Sequence, residues 1–251
     1  MNCLLLPASN IVESTAYIDD PKQIAHIHQV LKAKVGDRLK VGQLDGNIGS
    51  GVIDSMTADL VQLKEVVLSI TPPLKLEVTV ILALPRPKVL RRLIIDMTAI
   101  GVRDIILINS YRTQKSYWQS PMIHRLDEFI TEGLQQSVDT VAPSITLKKL
   151  FKPFVEDELP SLIEHSAIVA HPYSACSLTE YFRPLKEHDS HRATVSQKKN
   201  FPDIVFIGAE GGWIDYEIEL LKANGCTAVH CGPRILRTEA AVNVILGQWL
   251  L

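Results

Sequence analysis

The sequence has little that would direct it to a membrane or to an oxidising compartment. No apolar run reaches the roughly 18 residues that span a bilayer, and residues 1–9 lack the basic and apolar regions of a secretory signal. Only 4 cysteines occur, without a Cys-x-x-Cys pair, so a disulfide framework or a metal cluster has little support. We therefore expect a cytoplasmic protein with reduced thiols, no bound metal and no membrane partner.

A strong excess of one charge is also missing. The formal net charge is −2, which does not by itself indicate a nucleic-acid-binding protein. A mildly acidic chain can nevertheless carry a local basic surface. The 251 residues allow one large domain or two modest ones, and the hydrophobic share of 46% is that of an ordinary globular protein.

Short strand-like segments with turns between them dominate residues 1–70. Polar and apolar residues alternate over 38–41 and 59–64, which predicts half-buried strands that close a small barrel. A helix is predicted over 21–31, with Pro21 at its first position. The two prolines after Thr71 form a stiff linker. The sequence therefore predicts one domain over 1–71 and a second over 72–251.

The second domain shows a strand, helix, strand pattern, which is typical of a parallel α/β sheet. Strands are predicted over 78–84 and 103–109 and helices over 85–100 and 120–138. Near the C-terminus, Asp215 is expected to cap a helix over 216–223. A last helix over 237–250 is expected to bury Ala241, Val244, Ile245 and Gln248.

Two glycine-containing turns lie on either side of the helix over 216–223. The first reads Gly208-Ala-Glu-Gly-Gly212 and the second Cys231-Gly-Pro-Arg-Ile-Leu-Arg237, and each follows a short apolar strand. Glycine lets main-chain groups approach a ligand closely and tolerates positive φ. Such a pair of turns can surround a small molecule largely with backbone.

Together these turns resemble the C-terminal signature of the RsmE-like ribosomal RNA uridine-N3 methyltransferases, which belong to the SPOUT, or trefoil-knot, class. That family has a Gly-Pro-Glu-Gly-Gly turn and a Leu-Gly-x-Arg-Ile-Leu-Arg-x-Glu-Thr-Ala turn. Residues 26–37 are similar to a second family pattern, His-x-x-x-Val-Leu-Arg-x-x-x-Gly-Asp, with Lys32 in place of arginine. The resemblance covers nearly the whole chain.

The resemblance implies an N-terminal PUA-like β-barrel that binds RNA, followed by a SPOUT-type α/β domain with a C-terminal trefoil knot. It also implies a homodimer that transfers a methyl group from S-adenosylmethionine to N3 of a uridine in 16S ribosomal RNA of the small subunit. A β-rich domain that only stabilises its neighbour remains an alternative for the barrel.

The matching positions indicate the site residues. The implied cofactor-binding residues are Ala170, Gly208, Glu210, Gly211, Gly212, Cys231, Gly232, Ile235, Leu236 and Arg237. Arg237 is the candidate for stabilising negative charge on the uridine oxygens. Glu239 could orient Arg237, accept a proton or only favour the helix dipole, and Glu210 could contact the ribose or only brace its turn.

Four further positions depart from the family pattern. Ala209 replaces proline in the first turn, and Ala240 replaces threonine after the second. Asp96 stands where a lysine is usual, on a face that should approach RNA or the partner's active site, and Asp139 stands where an arginine is usual, so both changes remove positive charge. These departures indicate a divergent member of the family.

Basic residues occur in two groups that could contact RNA. Arg86 and Arg91 belong to a cluster on the helix over 85–100, which a solvated helix face explains equally well. Arg112 and Lys115 lie beside Tyr111, Tyr117 and Trp118. Because guanidinium groups bind phosphate while aromatic rings stack on splayed bases, the second group is the stronger indication of RNA binding.

Two other functions remain open from the sequence. A non-catalytic RNA-binding or ribosome-assembly protein could keep this fold after losing its chemistry through changes such as Ala209 and Asp96. A methyltransferase of the same class could also act on another RNA position. The retained glycines and Arg237 favour an enzyme.

Overall fold

A computed structural model describes residues 2–188 and 201–250. The chain divides into two compact units, of which the first comprises Met1–Pro73 and Ile130–Ala142 and the second Leu74–Phe129 and Pro143–Leu251. The division between Pro73 and Leu74 lies close to the expected domain boundary between residues 71 and 72. Residues 130–142, which sequence analysis placed in the second domain, group with the first unit.

The first unit contains a six-stranded sheet in the order β1-β4-β5-β6-β3-β2. Its strands are β1 (Leu4–Leu6), β2 (Ile11–Val12), β3 (Thr15–Ile18), β4 (Arg38–Gln43), β5 (Ile48–Met56) and β6 (Val61–Ile70). Only β1 and β4 pair in parallel. The alternation in β4 buries Leu39 and Val41 while Arg38 and Lys40 stay exposed, as the sequence pattern predicts.

Residues 130–142 are joined to this sheet by main-chain hydrogen bonds. The carbonyl of Gln135 accepts from the N–H groups of Asn2 and Cys3 at 2.9 and 3.1 Å, and that of Thr140 accepts from Asp45 N–H at 2.9 Å. A Cβ on Gly42 would lie 2.6 Å from Thr140 Cγ2, so glycine permits this close approach. The segment is therefore an integral part of the first unit.

Asp139 lies within this segment and is buried. Its carboxylate accepts hydrogen bonds from the N–H groups of Thr140 and Val141 at 2.7 and 3.1 Å. The side chain closes a turn next to Val138, whose φ is +60°.

The second unit contains a seven-stranded sheet in the order β11-β13-β10-β12-β7-β8-β9. All six pairings are parallel. The strands are β7 (Leu76–Ala83), β8 (Val102–Ile108), β9 (Ser144–Lys148), β10 (Ala167–Ala170), β11 (Cys176–Ser177), β12 (Ile204–Ile207) and β13 (Cys226–His230). The prediction of a mixed α/β fold with parallel pairing is confirmed.

The helices are α1 (Pro21–Ala25), α2 (Pro87–Ile100), α3 (Leu126–Ser137), α4 (Phe151–Pro153), α5 (Leu159–Leu162), α6 (Leu178–His188), α7 (Asp215–Ala223) and α8 (Thr238–Leu250). A π-helical segment, His26–Leu31, continues α1, and another, Phe154–Glu158, joins α4 to α5. Short 3-10 turns cover Ala8–Asn10, Lys115–Gln119 and Pro121–Arg125. Among the described residues, none of these helices is long and apolar enough to cross a bilayer.

Two local predictions are wrong. Ile214, not Asp215, is the N-cap of α7, and its N–H donates to the carboxylate of Glu217 at 2.9 Å. In α8 the buried residues include Val242, Leu246 and Trp249 in addition to Ile245, whereas Val244 is 42% exposed. The predicted set of buried residues is wrong because α8 has apolar residues on several sides. The periodicity of its sequence therefore does not identify a single buried face.

Candidate active site

The carboxyl ends of three neighbouring parallel strands define the candidate site. β10 lies between β12 and β13, so Ala170, Ile207 and His230 end at the same edge of the sheet. The glycine turn, residues 208–212, follows β12, and the arginine turn, residues 231–237, follows β13. Ligands of parallel α/β sheets bind at this edge.

The glycine turn has a fixed conformation. The N–H of Gly212 donates to the carbonyl of Ala209 at 2.8 Å, and Gly212 has a φ of +67°. A Cβ on Gly208 would lie 3.3 Å from the indole nitrogen of Trp213. Ala209 and Trp213 are both part of the core between the sheet and α7. The main chain of the turn is therefore held at the edge of the sheet. Small residues occupy the positions where space is limited.

A hydrogen bond links the glycine turn to the first residue after the arginine turn and so holds the two turns together. The buried hydroxyl of Thr238, the first residue of α8, donates to the carbonyl of Gly208 at 3.3 Å. Within the arginine turn, Gly232 has a φ of +113°, and its N–H donates to Nδ1 of His230 at 3.1 Å. Burial raises the pKa of the Cys231 thiol, so this side chain is a neutral thiol at pH 7.

The remaining residues of the arginine turn are largely exposed. Ile235 is 70% exposed, Leu236 is half-buried and the side chain of Arg237 is exposed. An apolar side chain exposed on this turn is suited to a ligand with an apolar part. Arg237 lies directly before the first residue of α8.

Glu210 contacts the residues that follow β7. One carboxylate oxygen accepts from the main-chain N–H of Arg86 at 3.2 Å and lies 3.8 Å from Nε of the same residue. Arg86 is the N-cap of α2, so Glu210 links the glycine turn to the start of this helix. Of the two roles considered for Glu210, bracing the turn has a structural basis.

Glu239 forms an ion pair with α2. Its carboxylate lies 3.8 Å from the guanidinium of Arg92. One turn further along both helices, Asp96 of α2 hydrogen-bonds to Asn243 of α8, and burial together with the charge of Glu239 raises the pKa of Asp96. These contacts place Glu239 against Arg92, and among the described residues no ion pair joins it to Arg237.

The four candidate RNA-binding residues occupy different environments. The guanidinium of Arg112 donates to the carbonyl of Gly211, which brings this residue against the glycine turn. Lys115 begins a 3-10 turn and is exposed. Arg86 is exposed beside Glu210, whereas Arg91 is half-buried with its guanidinium 5.8 Å from the ring centroid of Phe129. Arg86 and Arg112 are thus closest to the glycine turn.

A cavity of about 470 Å³ opens beside the end of β10. Its lining includes His171, Tyr173 and Cys176 after β10, and Asp215, Glu219 and Lys222 on α7. Burial lowers the pKa of His171, so its imidazole is neutral at pH 7. His171 thus contributes a neutral imidazole to the lining of this cavity.

Several residues that hold the site together were not predicted from the sequence. They are Thr238, which joins the turns, Arg92, which pairs with Glu239, and the buried Glu217, which accepts from the N–H groups of Tyr111 and Ile214. Only Glu217 carries a sequence signal, because a glutamate at the third helical position is part of a capping pattern. The other contacts depend on tertiary placement.

Comparisons with known proteins identify chains similar to this one over nearly its whole length. A curated relative from Treponema pallidum, named ribosomal RNA small subunit methyltransferase E, is 26% identical over 96% of this chain and 87% of its own length. A relative of the same name from Synechocystis is 27% identical and covers 98% of this chain and 76% of its own. Both relatives align with almost the whole chain.

Among solved structures, the enzyme of that name from Neisseria gonorrhoeae, bound to S-adenosyl methionine, superposes with a TM-score of 0.69 at 21% identity. It covers 99% of this chain and 95% of its own. The sequence model of the RNA methyltransferase domain matches residues 72–250. The chain therefore belongs to the RNA methyltransferase family.

Proposed function

We propose that this protein transfers a methyl group from S-adenosylmethionine to N3 of a uridine in 16S ribosomal RNA. The observation that carries the proposal is the hydrogen bond from Thr238 to Gly208, which joins the glycine turn and the arginine turn beside the end of β10. The names of the curated relatives and the S-adenosyl methionine bound to a structural neighbour support the substrate and the methyl donor.

The two turns fit S-adenosylmethionine. Nothing lies within 4 Å of a Cβ built on Gly212 or Gly232, so the main chain there is open to a ligand. The backbone of Ala170, Gly208, Gly211, Gly212, Cys231, Gly232, Ile235 and Leu236 would hold the adenosine and methionine parts, while Glu210 braces the glycine turn against Arg86. The bound sulfonium supplies an electrophilic methyl group.

Arg237 is the residue to which we assign charge stabilisation. Uridine N3 carries a proton at neutral pH, and its loss leaves negative charge on O2 and O4. The exposed guanidinium at the end of the arginine turn can donate to those oxygens. Glu239 remains a candidate proton acceptor, although its ion pair with Arg92 also fits a role in holding α2 against α8.

The finer features of the fold belong to the same proposal. They are a PUA-like barrel in the first unit, a trefoil knot around the arginine turn, and a homodimer in the cytoplasm. Arg86, Arg91, Arg112 and Lys115 are proposed to contact RNA. Arg112 has the strongest support, because its side chain lies against the glycine turn.

Calorimetric titration with S-adenosylmethionine tests the proposal. We expect binding in the micromolar range, about −8 kcal/mol, and a loss of affinity in Gly232→Ala, which forces a side chain into a backbone with a φ of +113°. Gly101→Ala is a matched control, since Gly101 has a φ of +95°, also has nothing within 4 Å of a Cβ, and ends α2 far along the chain from both turns.

Methylation of 16S ribosomal RNA from a strain that lacks the enzyme completes the test. Binding of the methyl donor together with methylation at a uridine N3 is the expected result. Absence of binding would contradict the proposal and favour the non-catalytic RNA-binding alternative. Methylation at another nucleotide would show that the protein is a methyltransferase but that its target is not a uridine N3.

A further inference from the structure

The turn formed by residues 110–113 is fixed to the carboxyl edge of the sheet. Thr113 N–H donates to the carbonyl of Ser110 at 3.0 Å, and the two hydroxyl oxygens are 2.9 Å apart. The Thr113 hydroxyl also donates to the carbonyl of Leu84, which follows β7, at 3.2 Å. Because Ser110 and Thr113 are both buried, the turn has little freedom to move.

The two residues at the tip of this turn are held against the glycine turn and α7. Tyr111 N–H donates to Glu217 at 2.7 Å, and that carboxylate, in a residue only 2% exposed, also accepts from Ile214 N–H. The guanidinium of the next residue, Arg112, donates to the carbonyl of Gly211. The backbone at Tyr111 is therefore positioned by a buried charge beside the proposed methyl-donor site.

The side chain of Tyr111 is left exposed by this arrangement. It is 78% exposed, although its main chain is fixed. The nearby Trp118 is already engaged, since its indole N–H donates to Asn109 at 2.9 Å and the ammonium of Lys149 lies 5.8 Å from its ring centroid. Tyr173 is similarly exposed, but its ring packs edge-on against His171. Tyr111 is thus the aromatic ring best placed for a new partner.

We propose that the ring of Tyr111 stacks on an unpaired base of the RNA substrate. This inference rests on the proposed function. Single-stranded RNA is recognised by aromatic rings that stack on splayed bases and by basic groups that bind the adjoining phosphates. A ring with a fixed backbone loses little freedom on binding, and Arg112 and the exposed Lys115 supply positive charge at the same loop.

Binding of a fluorescein-labelled dodecamer of uridylate, followed by anisotropy, tests the proposal. We expect Tyr111→Ala to weaken binding about 5- to 150-fold, whereas Tyr111→Phe and Tyr111→Trp stay within about threefold because they keep a stacking face. The loss in Tyr111→Ala should be the same at low and high salt. Lys115→Ala should instead lower the salt dependence, as expected for a lost phosphate contact.

An abasic dodecamer with the same phosphates provides the ligand control. Wild type and Tyr111→Ala should bind it equally, since it offers no base to stack. Equal binding of the uridylate dodecamer by wild type and Tyr111→Ala would overturn the proposal. So would an equal loss in Tyr111→Phe and Tyr111→Ala, because the hydroxyl and not the ring would then be responsible.

Calorimetry with S-adenosylmethionine and the methylation assay on the same proteins separate this inference from the proposed function. If the wild type methylates 16S ribosomal RNA and Tyr111→Ala binds RNA normally, only the stacking role fails. If the wild type neither binds S-adenosylmethionine nor methylates, but Tyr111→Ala still loses uridylate binding, the proposed function fails and stacking on RNA stands. Superimposable urea denaturation curves would show that the variants are folded.

Discussion

Ala209 shows how one residue can depart from a family pattern without loss of the local structure. The resembled family has proline here, which would stiffen the turn. In this protein a 2.8 Å hydrogen bond from Gly212 N–H to the Ala209 carbonyl closes the turn, and the methyl group of Ala209 is buried in the core. Packing and one hydrogen bond thus supply the restraint that a pyrrolidine ring would give.

Arg237→Ala is expected to abolish most of the methyl transfer while S-adenosylmethionine affinity changes only a few-fold. The loss of one donor to a developing oxyanion typically lowers kcat by about 10²- to 10³-fold. Transfer of tritiated methyl groups to ribosomal RNA measures the rate, and calorimetry measures the affinity.

Arg103→Ala is the matched control for Arg237→Ala. It removes the same charge near the amino end of β8, where Arg103 pairs with Asp104 at 2.7 Å, and it should leave the rate unchanged. Methyl transfer at the wild-type rate by Arg237→Ala would remove Arg237 from the mechanism.

Residue types were more predictable than residue partners. The motifs identified the family correctly and indicated Glu210 and Glu239 as residues of interest. They could not indicate that Glu210 contacts Arg86 or that Glu239 contacts Arg92, because those partners are more than a hundred positions away along the chain. The assignment of the individual site residues stays a prediction.

At the scale of elements, continuous apolar runs were the most reliable signal. They located β7 and β8 closely, and the predicted end of the helix at residue 100 was correct, since Gly101 follows with a φ of +95°. The short strands β9 and β11 were missed because one is polar and the other has only 2 residues.

The contact between α2 and α8 gives a pH-dependent prediction. Burial and the charge of Glu239 raise the pKa of Asp96, so the folded protein binds this proton more tightly than the unfolded chain does. The stabilisation is complete below the unfolded pKa and is lost as pH rises through the folded pKa. Asp96→Asn should therefore stabilise the protein at about pH 7, by less than about 1 kcal/mol because the group is partly exposed.

Urea denaturation at about pH 4 and pH 7 checks this prediction, since the difference between Asp96→Asn and wild type should shrink at the lower pH. Asp59→Asn removes a charge from an exposed turn of the first unit, and its effect should stay within about 0.5 kcal/mol. A lower stability of Asp96→Asn at pH 7 would contradict the expectation and would give the hydrogen bond to Asn243 the larger role.

At the scale of the whole molecule, strand order was the least predictable feature. The sequence indicated that β7 and β8 pair in parallel, because one helix joins them. It could not indicate that β12 lies between β7 and β10, or that β13 lies on the other side of β10. Such pairings depend on long-range contacts that hydrophobic periodicity does not record.

The two-segment composition of the first unit predicts how fragments will behave. A fragment of residues 1–73 should be less stable than the same fragment joined to 130–142 by a flexible glycine and serine linker. The added segment supplies the carbonyls of Gln135 and Thr140, which accept from the N–H groups of Asn2, Cys3 and Asp45. Each such hydrogen bond contributes about 0.5–1.5 kcal/mol.

Urea denaturation and amide hydrogen exchange of both fragments measure the effect. Slower exchange at Asn2, Cys3 and Asp45 in the joined fragment is the specific expectation, because these N–H groups donate to the added segment. A linked variant carrying Thr140→Ala should lose part of the gain, because the Thr140 hydroxyl donates to the carbonyl of Gly46. Equal stability of the two fragments would show that residues 1–73 fold independently.

The two-segment composition of the first unit also affects how the chain folds during its synthesis. The carbonyl groups that accept from the N–H groups of Asn2, Cys3 and Asp45 lie in residues 130–142. They are therefore not yet synthesised when β6 is complete. At roughly 5–20 residues per second, the ribosome needs about 3–14 s more to add residues 74–142. Throughout that interval the N–H groups of Asn2, Cys3 and Asp45 lack the acceptors that they have in the complete chain. The first unit therefore reaches its final hydrogen bonding only after part of the second unit has been synthesised.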